Sequence, residues 1–304
     1  MENMIPVVCV VGIICSIITI ALNINLVVKV VLKKSKRKED MKLFYYRFAL
    51  DILFGTCLLI FITYVIITLE FPDTMVNHRY LTIYLGLPWS NLAACRSIIA
   101  LSISAERFIA AYFPIAYRTG KCTLPSGVIL AASIGFGLSE LFVLFGFCSY
   151  DFEIAPSCQA FGCSVNKCFY SFWTIHKAII FFIIAILSIL LSLRLFLWKS
   201  ANQVKTNSDV SKANRLALLG TVTVLIFDVL PSFLSVLGPT ADLFNFEFIG
   251  PYNSVGKVTG CAIESAIASN YLIFQKSKLK DKTSSAAQHS RFWKSSTSKN
   301  VLTF

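Results

Sequence analysis

Glu106 and Arg107 are adjacent opposite charges that close an almost uncharged run from Tyr80 to Ser104, with Pro114 and Tyr117 following. Their chemistry at the end of an apolar helix is ion pairing close enough to water for a partner to be exchanged. By itself that is weak evidence, because charged residues often cap helices. Other ionisable residues stand inside apolar runs: Arg47, Asp51, Arg96, Glu140, Asp228 and Glu264. In hydrocarbon each costs at least ~2.5–3.5 kcal/mol, so each is expected to face protein and find a partner. Arg47 and Asp51 lie one helical turn apart and could pair within their helix. Arg96 precedes Arg107 by three turns, about 16 Å along one face. That puts it near the depth of Asp51. Arg96 is therefore expected to pair with Asp51 or Glu264 and fix how the second, third and seventh helices pack. His176, Lys177 and Lys257 fall near the other end of their segments, where they could form the rim of a site favouring an acidic or polar ligand. Pro231, three residues past Asp228, deletes a backbone hydrogen bond and is expected to kink its helix.

Ten cysteines divide by position. Cys9, Cys15, Cys57, Cys95 and Cys261 fall in apolar segments and read as small packing residues. Cys122 stands apart. Cys148, Cys158, Cys163 and Cys168 cluster in one loop, where a disulfide framework is expected with three possible pairings. Zinc is the weaker reading, since no histidine accompanies the C-x4-C-x4-C spacing. No metal, no cofactor and no catalytic residue is expected: there is no His-rich box or G-x-S-x-G elbow.

The elements that must position these groups are membrane helices. The chain is 56% hydrophobic and 14% charged over 304 residues, whereas a soluble domain carries roughly 25% charged residues. Ile5 to Val28 holds no charge at all, long enough to cross ~30 Å of hydrocarbon as a helix. The runs do not alternate as barrel strands do. The fold class is an all-α membrane protein, a seven-transmembrane helix bundle over 1–275. Helices are expected at about 5–31, 44–69, 80–113, 127–148, 171–197, 216–237 and 251–274. A basic, Ser-rich tail over 276–304 is expected to be disordered.

Lysine and arginine are retained on the cytoplasmic side. The segments 33–42, 114–126, 198–215 and 276–304 together hold nineteen basic residues, while the alternate loops hold Arg79 and Lys167 only. The N-terminus is thus expected outside and the C-terminus inside, on a multi-pass protein of the plasma membrane. The net charge of +12 reads as a basic face beside anionic lipid rather than as a nucleic-acid site. No cleavable signal peptide is expected, because a basic n-region is absent and the first apolar run is too long. No Asn-x-Ser/Thr sequon occurs, so no N-glycan is expected.

Seven helices, an outside N-terminus and E-R-F-x-A-x-x-x-P-x-x-Y after the third helix resemble the G-protein-coupled receptor superfamily, in its rhodopsin-like branch. Glu106, Arg107, Phe108, Ala110, Pro114 and Tyr117 match that pattern, and Asp51 in "FALDILFG" matches the acidic residue of its second helix. The resemblance implies that Arg107 contacts a heterotrimeric G protein once the sixth helix swings outward. There are departures. No cysteine stands at the top of the third helix ("YLTIYLGL"), "FDVLP" lacks a tryptophan, "ASNYLIF" replaces an asparagine-proline box, and "SKANRL" offers Arg107 no acid. With "LFYYRFALDILFG", "ERFIAAYFPIAYR" and the cysteine-rich loop, the chain looks most like the nematode serpentine chemoreceptors of the class called Srbc.

That resemblance implies a chemosensory receptor in ciliated sensory neurons whose partners are a small-molecule ligand, a heterotrimeric G protein and the lipid bilayer. A transporter or a ligand-gated channel of the plasma membrane is the alternative. The first predicts internal repeats, of which none is convincing. The second, in the seven-helix odorant channels, places the N-terminus inside.

Overall fold

The computed structural model describes residues 4–31, 41–119, 124–152, 154, 158, 161–201, 216, 218–231 and 251–274. Apolar stretches this long satisfy their backbone groups internally only by coiling into helices, and helix is the regular structure among the described residues. In chain order these are α1 (Met4–Leu26), α2 (Lys42–Glu70), α3 (Leu81–Tyr112), α4 (Ser126–Leu141), α5 (Lys167–Ala201), α6 (218–231) and α7 (Tyr252–Ser269). Wider π-turns extend α1 through Val27–Val31, α4 through Phe142–Phe147 and α7 through Asn270–Phe274, and another lies within α6 at Leu225–Val229. Short helices over Pro72–Met75, Pro114–Arg118 and Phe161–Ser164 join the long ones. The segment 232–237, the tail 276–304, Cys122, the basic run 33–40 and the residues 211–215 lie outside the described residues.

The helices Met4–Lys29, Lys42–Glu70, Ser126–Phe147 and Lys167–Arg194 are long and apolar enough to cross a membrane. The distribution of polarity makes the same point. On α1 apolar side chains such as Val7, Val10, Ile14 and Ile17 are exposed, while Ser16, Thr19 and Asn23 are fully buried. A protein dissolved in water shows the reverse. The chain is an all-helical, multi-pass membrane protein.

α3 is the central element. It packs against α2, α4 and α5, while α1 packs on α2 and α7, and α6 lies between α5 and α7. Small residues permit the close contacts. A Cβ on Gly137 would press on Cys95 Sγ and lie 2.7 Å from the Asn91 carbonyl, so α4 approaches α3 nearly backbone to backbone. Gly256 and Gly260, one turn apart on α7, do the same toward α6. A Cβ at 256 would meet the Phe227 carbonyl and Pro231 Cγ, both at 3.2 Å, and one at 260 would meet Phe227 Cβ at 2.9 Å. Phe227 O is the carbonyl that residue 231 would engage in a regular helix, and proline has no N–H to offer. A π-turn and a bare glycine surface therefore meet at the site where the sequence predicts a bend.

Candidate functional site

Three groups of chemistry-bearing side chains lie along the axis of the bundle. The middle group is ionic. Arg96 of α3 pairs with Asp51 of α2, and its Nη2 lies 3.7 Å from Glu264 Oε2 of α7. Arg47 of α2 pairs with the same Glu264 oxygen. The Arg96 guanidinium also sits 5.1 Å from the Phe54 ring centroid, a cation–π contact. The possible pairing of Arg47 with Asp51 inside α2 is corrected: Arg47 reaches across to α7. Its reason is competition, since Arg96 takes the Asp51 carboxylate and α7 brings a second acid within reach. Two guanidiniums and two carboxylates thus tie three helices. α6 covers the group, for a Cβ on Gly220 would lie 3.6 Å from Glu264 Oε1 and 3.7 Å from Arg47 Nη1. A cavity of ≈ 20 Å³ remains beside Arg47, Asp51 and Glu264, about enough for one water.

The second group lies on the side of the cysteine-rich loop. Lys177 and Lys257 are buried, at 4% and 2% exposure, so the expected rim position is corrected for both, and His176 is mostly buried beside them. Burial needs compensation, and Glu140 of α4 supplies part of it. Its Oε1 lies 3.4 Å from His176 Nε2 and 3.6 Å from Lys177 Nζ, while Oε2 accepts a 2.8 Å hydrogen bond from Ser90 of α3. Trp173 Nε1 donates to that same Ser90 hydroxyl at 2.7 Å. The Trp173 ring in turn faces both ammonium groups, with Lys177 Nζ 3.7 Å and Lys257 Nζ 5.4 Å from its centroid. Asp228, buried in the π-turn of α6, acts on both lysines and on Arg96 through its charge. Sequence reasoning put Glu140 among the costly charges but found it no partner, and it missed Ser90 and Trp173. Serine and tryptophan carry no charge to flag them.

Above this group lies the loop. Its four clustered cysteines form Cys148–Cys168 and Cys158–Cys163. The first bridge ties the end of α4 to the start of α5, and Asn166 Nδ2 donates to the Cys148 carbonyl at 2.8 Å beside it. Tyr150 donates its hydroxyl to the Ser164 carbonyl at 2.6 Å, and burial pushes the phenol pKa up. With no cysteine in the first turns of α3, the loop is held there by packing. Phe161 fills the notch left by Gly86, and its ring sits 5.7 Å from Trp89 and 6.0 Å from Trp173. Removing Cys148–Cys168 by paired serine substitution should destabilise the fold by about 3 kcal/mol, and removing Cys158–Cys163 by about 2 kcal/mol, because the longer loop constrains the unfolded chain more. Thermal unfolding in detergent with and without reductant reads the ranking.

The third group closes the opposite end of α3. Arg107 is 3% exposed, less open to water than its place at a helix end suggests. Its Nη2 lies 3.2 Å from Glu106 Oε1, and the Tyr117 hydroxyl donates to that same oxygen at 2.7 Å. Tyr117 is delivered by the short helix that begins at Pro114, after α3 stops at Phe113. Phe108 stacks on Tyr112 at 4.5 Å, and the Tyr112 hydroxyl donates to the Leu190 carbonyl of α5. The "SKANRL" residues up to 215 fall outside the described residues. One acid thus faces both the guanidinium and a phenol.

A family model described as "Serpentine type 7TM GPCR chemoreceptor Srbc" matches residues 1–276. No curated protein matches the chain.

Proposed function

The chain belongs to the Srbc serpentine chemoreceptor family, and from that premise we propose that it senses a small molecule outside the cell and activates a heterotrimeric G protein inside. The topology we adopt has seven spans, an outside N-terminus and an inside C-terminus, which the nineteen-to-two partition of basic loop residues supports. The disulfide-tied loop then faces out and the Glu106–Arg107–Tyr117 group faces the cytoplasm.

The observation that carries the reading is this last group: a buried guanidinium paired with the neighbouring carboxylate, which a tyrosine of the next short helix also engages. A carboxylate serving two donors is a contact that a partner can compete for. α6 is the element suited to move, since it combines a π-turn at Leu225–Val229, Pro231 and glycine contacts with α7. A ligand can shift such an equilibrium only through its differential affinity for the two arrangements.

Receptor reconstituted in lipid with a heterotrimeric G protein should accelerate guanine-nucleotide exchange when an active ligand is added. Ligand-driven ion flux without exchange would instead assign the channel alternative. By family membership the expected setting is the sensory-neuron cilium. An epitope at the N-terminus should stain on unpermeabilised cells and one at the C-terminus should not.

A further inference from the structure

Both guanidiniums of the ionic group turn to one oxygen of Glu264. Arg47 pairs with Oε2, and Arg96 Nη2 lies 3.7 Å from that same atom. The other oxygen, Oε1, is buried and has no hydrogen-bond partner among the described residues. Arg47 is short in the opposite sense. A guanidinium carries five N–H donors, and here the buried Nε–H meets no acceptor among the described residues. Buried polar atoms are costly to leave unpaired, and this group has one of each sign.

Room lies beside them. The ≈ 20 Å³ cavity is lined by Arg47, Asp51, Glu264 and Ser265 together with Gly220 of α6. Gly220 keeps it open. A Cβ there would stand 3.6 Å from Glu264 Oε1 and 3.7 Å from Arg47 Nη1, and outside its own stretch of α6 it would meet no other atom of the described residues within 4 Å. An acceptor and a donor therefore flank one point at like distances. A polar cavity of this size holds a single water, which needs about two to four polar partners. An ion suits the place less well. A cation would face the Arg47 guanidinium, and an anion would face Asp51 as well as Glu264.

We propose that one ordered water is built into the junction of α2, α6 and α7, donating to Glu264 Oε1 and accepting an N–H of Arg47, in the room that Gly220 leaves. Asp51 and Ser265 complete the polar wall around it. The assignment does not depend on how Glu264 ionises, because water donates to a carboxylate oxygen and equally accepts from a carboxyl O–H. α6 thus rests on the ion pair through a water rather than through a side chain. What position 220 requires is a missing Cβ.

The test ranks single substitutions in the full-length receptor by thermal unfolding in detergent. Helix propensity places alanine above serine and both above glycine, and a dry gap would reward the methyl group of Gly220→Ala for filling it. With water in place the order reverses. Gly220→Ala displaces the water, leaves Oε1 unpaired and should lower the melting temperature by about 2–6 °C. Gly220→Ser brings a hydroxyl that takes over the water's bonds, so it should melt at least about 2 °C above Gly220→Ala. A serine that bonds its own helix instead does not raise stability, so the gain has to come from Glu264 and Arg47. Gly135 on α4 is the control. A Cβ there would meet nothing within 4 Å, and Gly135→Ala should match or exceed Gly135→Ser. Gly220→Ala melting level with or above Gly220→Ser overturns the assignment. A crystal structure of the unaltered receptor grown from lipid tests it without any variant. Water density within hydrogen-bond reach of Glu264 Oε1 and an Arg47 nitrogen upholds it, and a dry cavity or a coordinated ion overturns it.

Discussion

Arg96→Met is expected to be the most damaging single substitution in the bundle, lowering stability by about 3–5 kcal/mol. The side chain fills its space with methionine, so little packing is lost; what is lost is charge compensation. Asp51 is 2% exposed and pairs with Arg96. The same change removes the 3.7 Å contact to Glu264, leaving Arg47 to hold that acid. Against a total stability of roughly 5–15 kcal/mol, little folded receptor should survive a heat step in detergent that the parent withstands, as read by size-exclusion recovery. Arg96→Lys should fall between, because one ammonium cannot span two carboxylates as a planar guanidinium does. Arg96→Met with Asp51→Leu should regain most of the loss, since removing a buried pair together leaves no orphan. If Arg96→Met melts within about 2 °C of the parent, little more than one kcal/mol for a chain this size, the network is not what fastens α2, α3 and α7. The double variant also separates two roles. Folded and signalling, it marks the network as a static tie; folded and silent, as part of the switch.

What the sequence made legible depended on whether a feature was local. The apolar runs announced helices because the bilayer leaves the backbone no other solution, and the stop of α3 was visible in Pro114. Arg96 could be assigned to Asp51 or Glu264 because a buried guanidinium needs an acid and few exist at that depth. Which acid each arginine takes was not legible: it depends on how α7 rotates against α2, a property of helix packing that Gly12 helps decide by admitting Val255 at 2.8 Å from where its Cβ would be. The rim position expected for Lys177 and Lys257 failed for a related reason. Lysines near helix ends usually extend toward water, but here a tryptophan face and a glutamate from another helix hold them inward. Nor could cysteine counting choose among three pairings. Phe161 was invisible as the residue that seats the loop on α3, because that contact comes from the missing side chain of Gly86, seventy-five positions earlier.

Arg107→Ala should abolish ligand-driven nucleotide exchange, by roughly 100-fold or more, while leaving delivery to the cell surface near parental. The size of the effect follows from burial: truncating one member of a desolvated, hydrogen-bonded charge pair at an interface costs about 2–5 kcal/mol, and on the reading adopted here Arg107 is the group the G protein must engage. Delivery should survive because the acid left behind is not stranded. Glu106 is about a quarter exposed and keeps its 2.7 Å hydrogen bond from Tyr117, unlike Asp51 in the interior. Glu106→Gln tests the same contact from the other side. It keeps the shape and an acceptor for Tyr117 but takes away the charge facing Arg107, so exchange without ligand should rise severalfold as that ion pair is weakened. Tyr117→Phe should do less, since it removes only the competitor for that oxygen. Arg107→Ala and Glu106→Gln have opposed expected directions, which a general loss of folding cannot imitate. Full exchange in surface-delivered Arg107→Ala would remove Arg107 from the coupling mechanism and leave the Glu106–Arg107–Tyr117 group as the closure of a helix end.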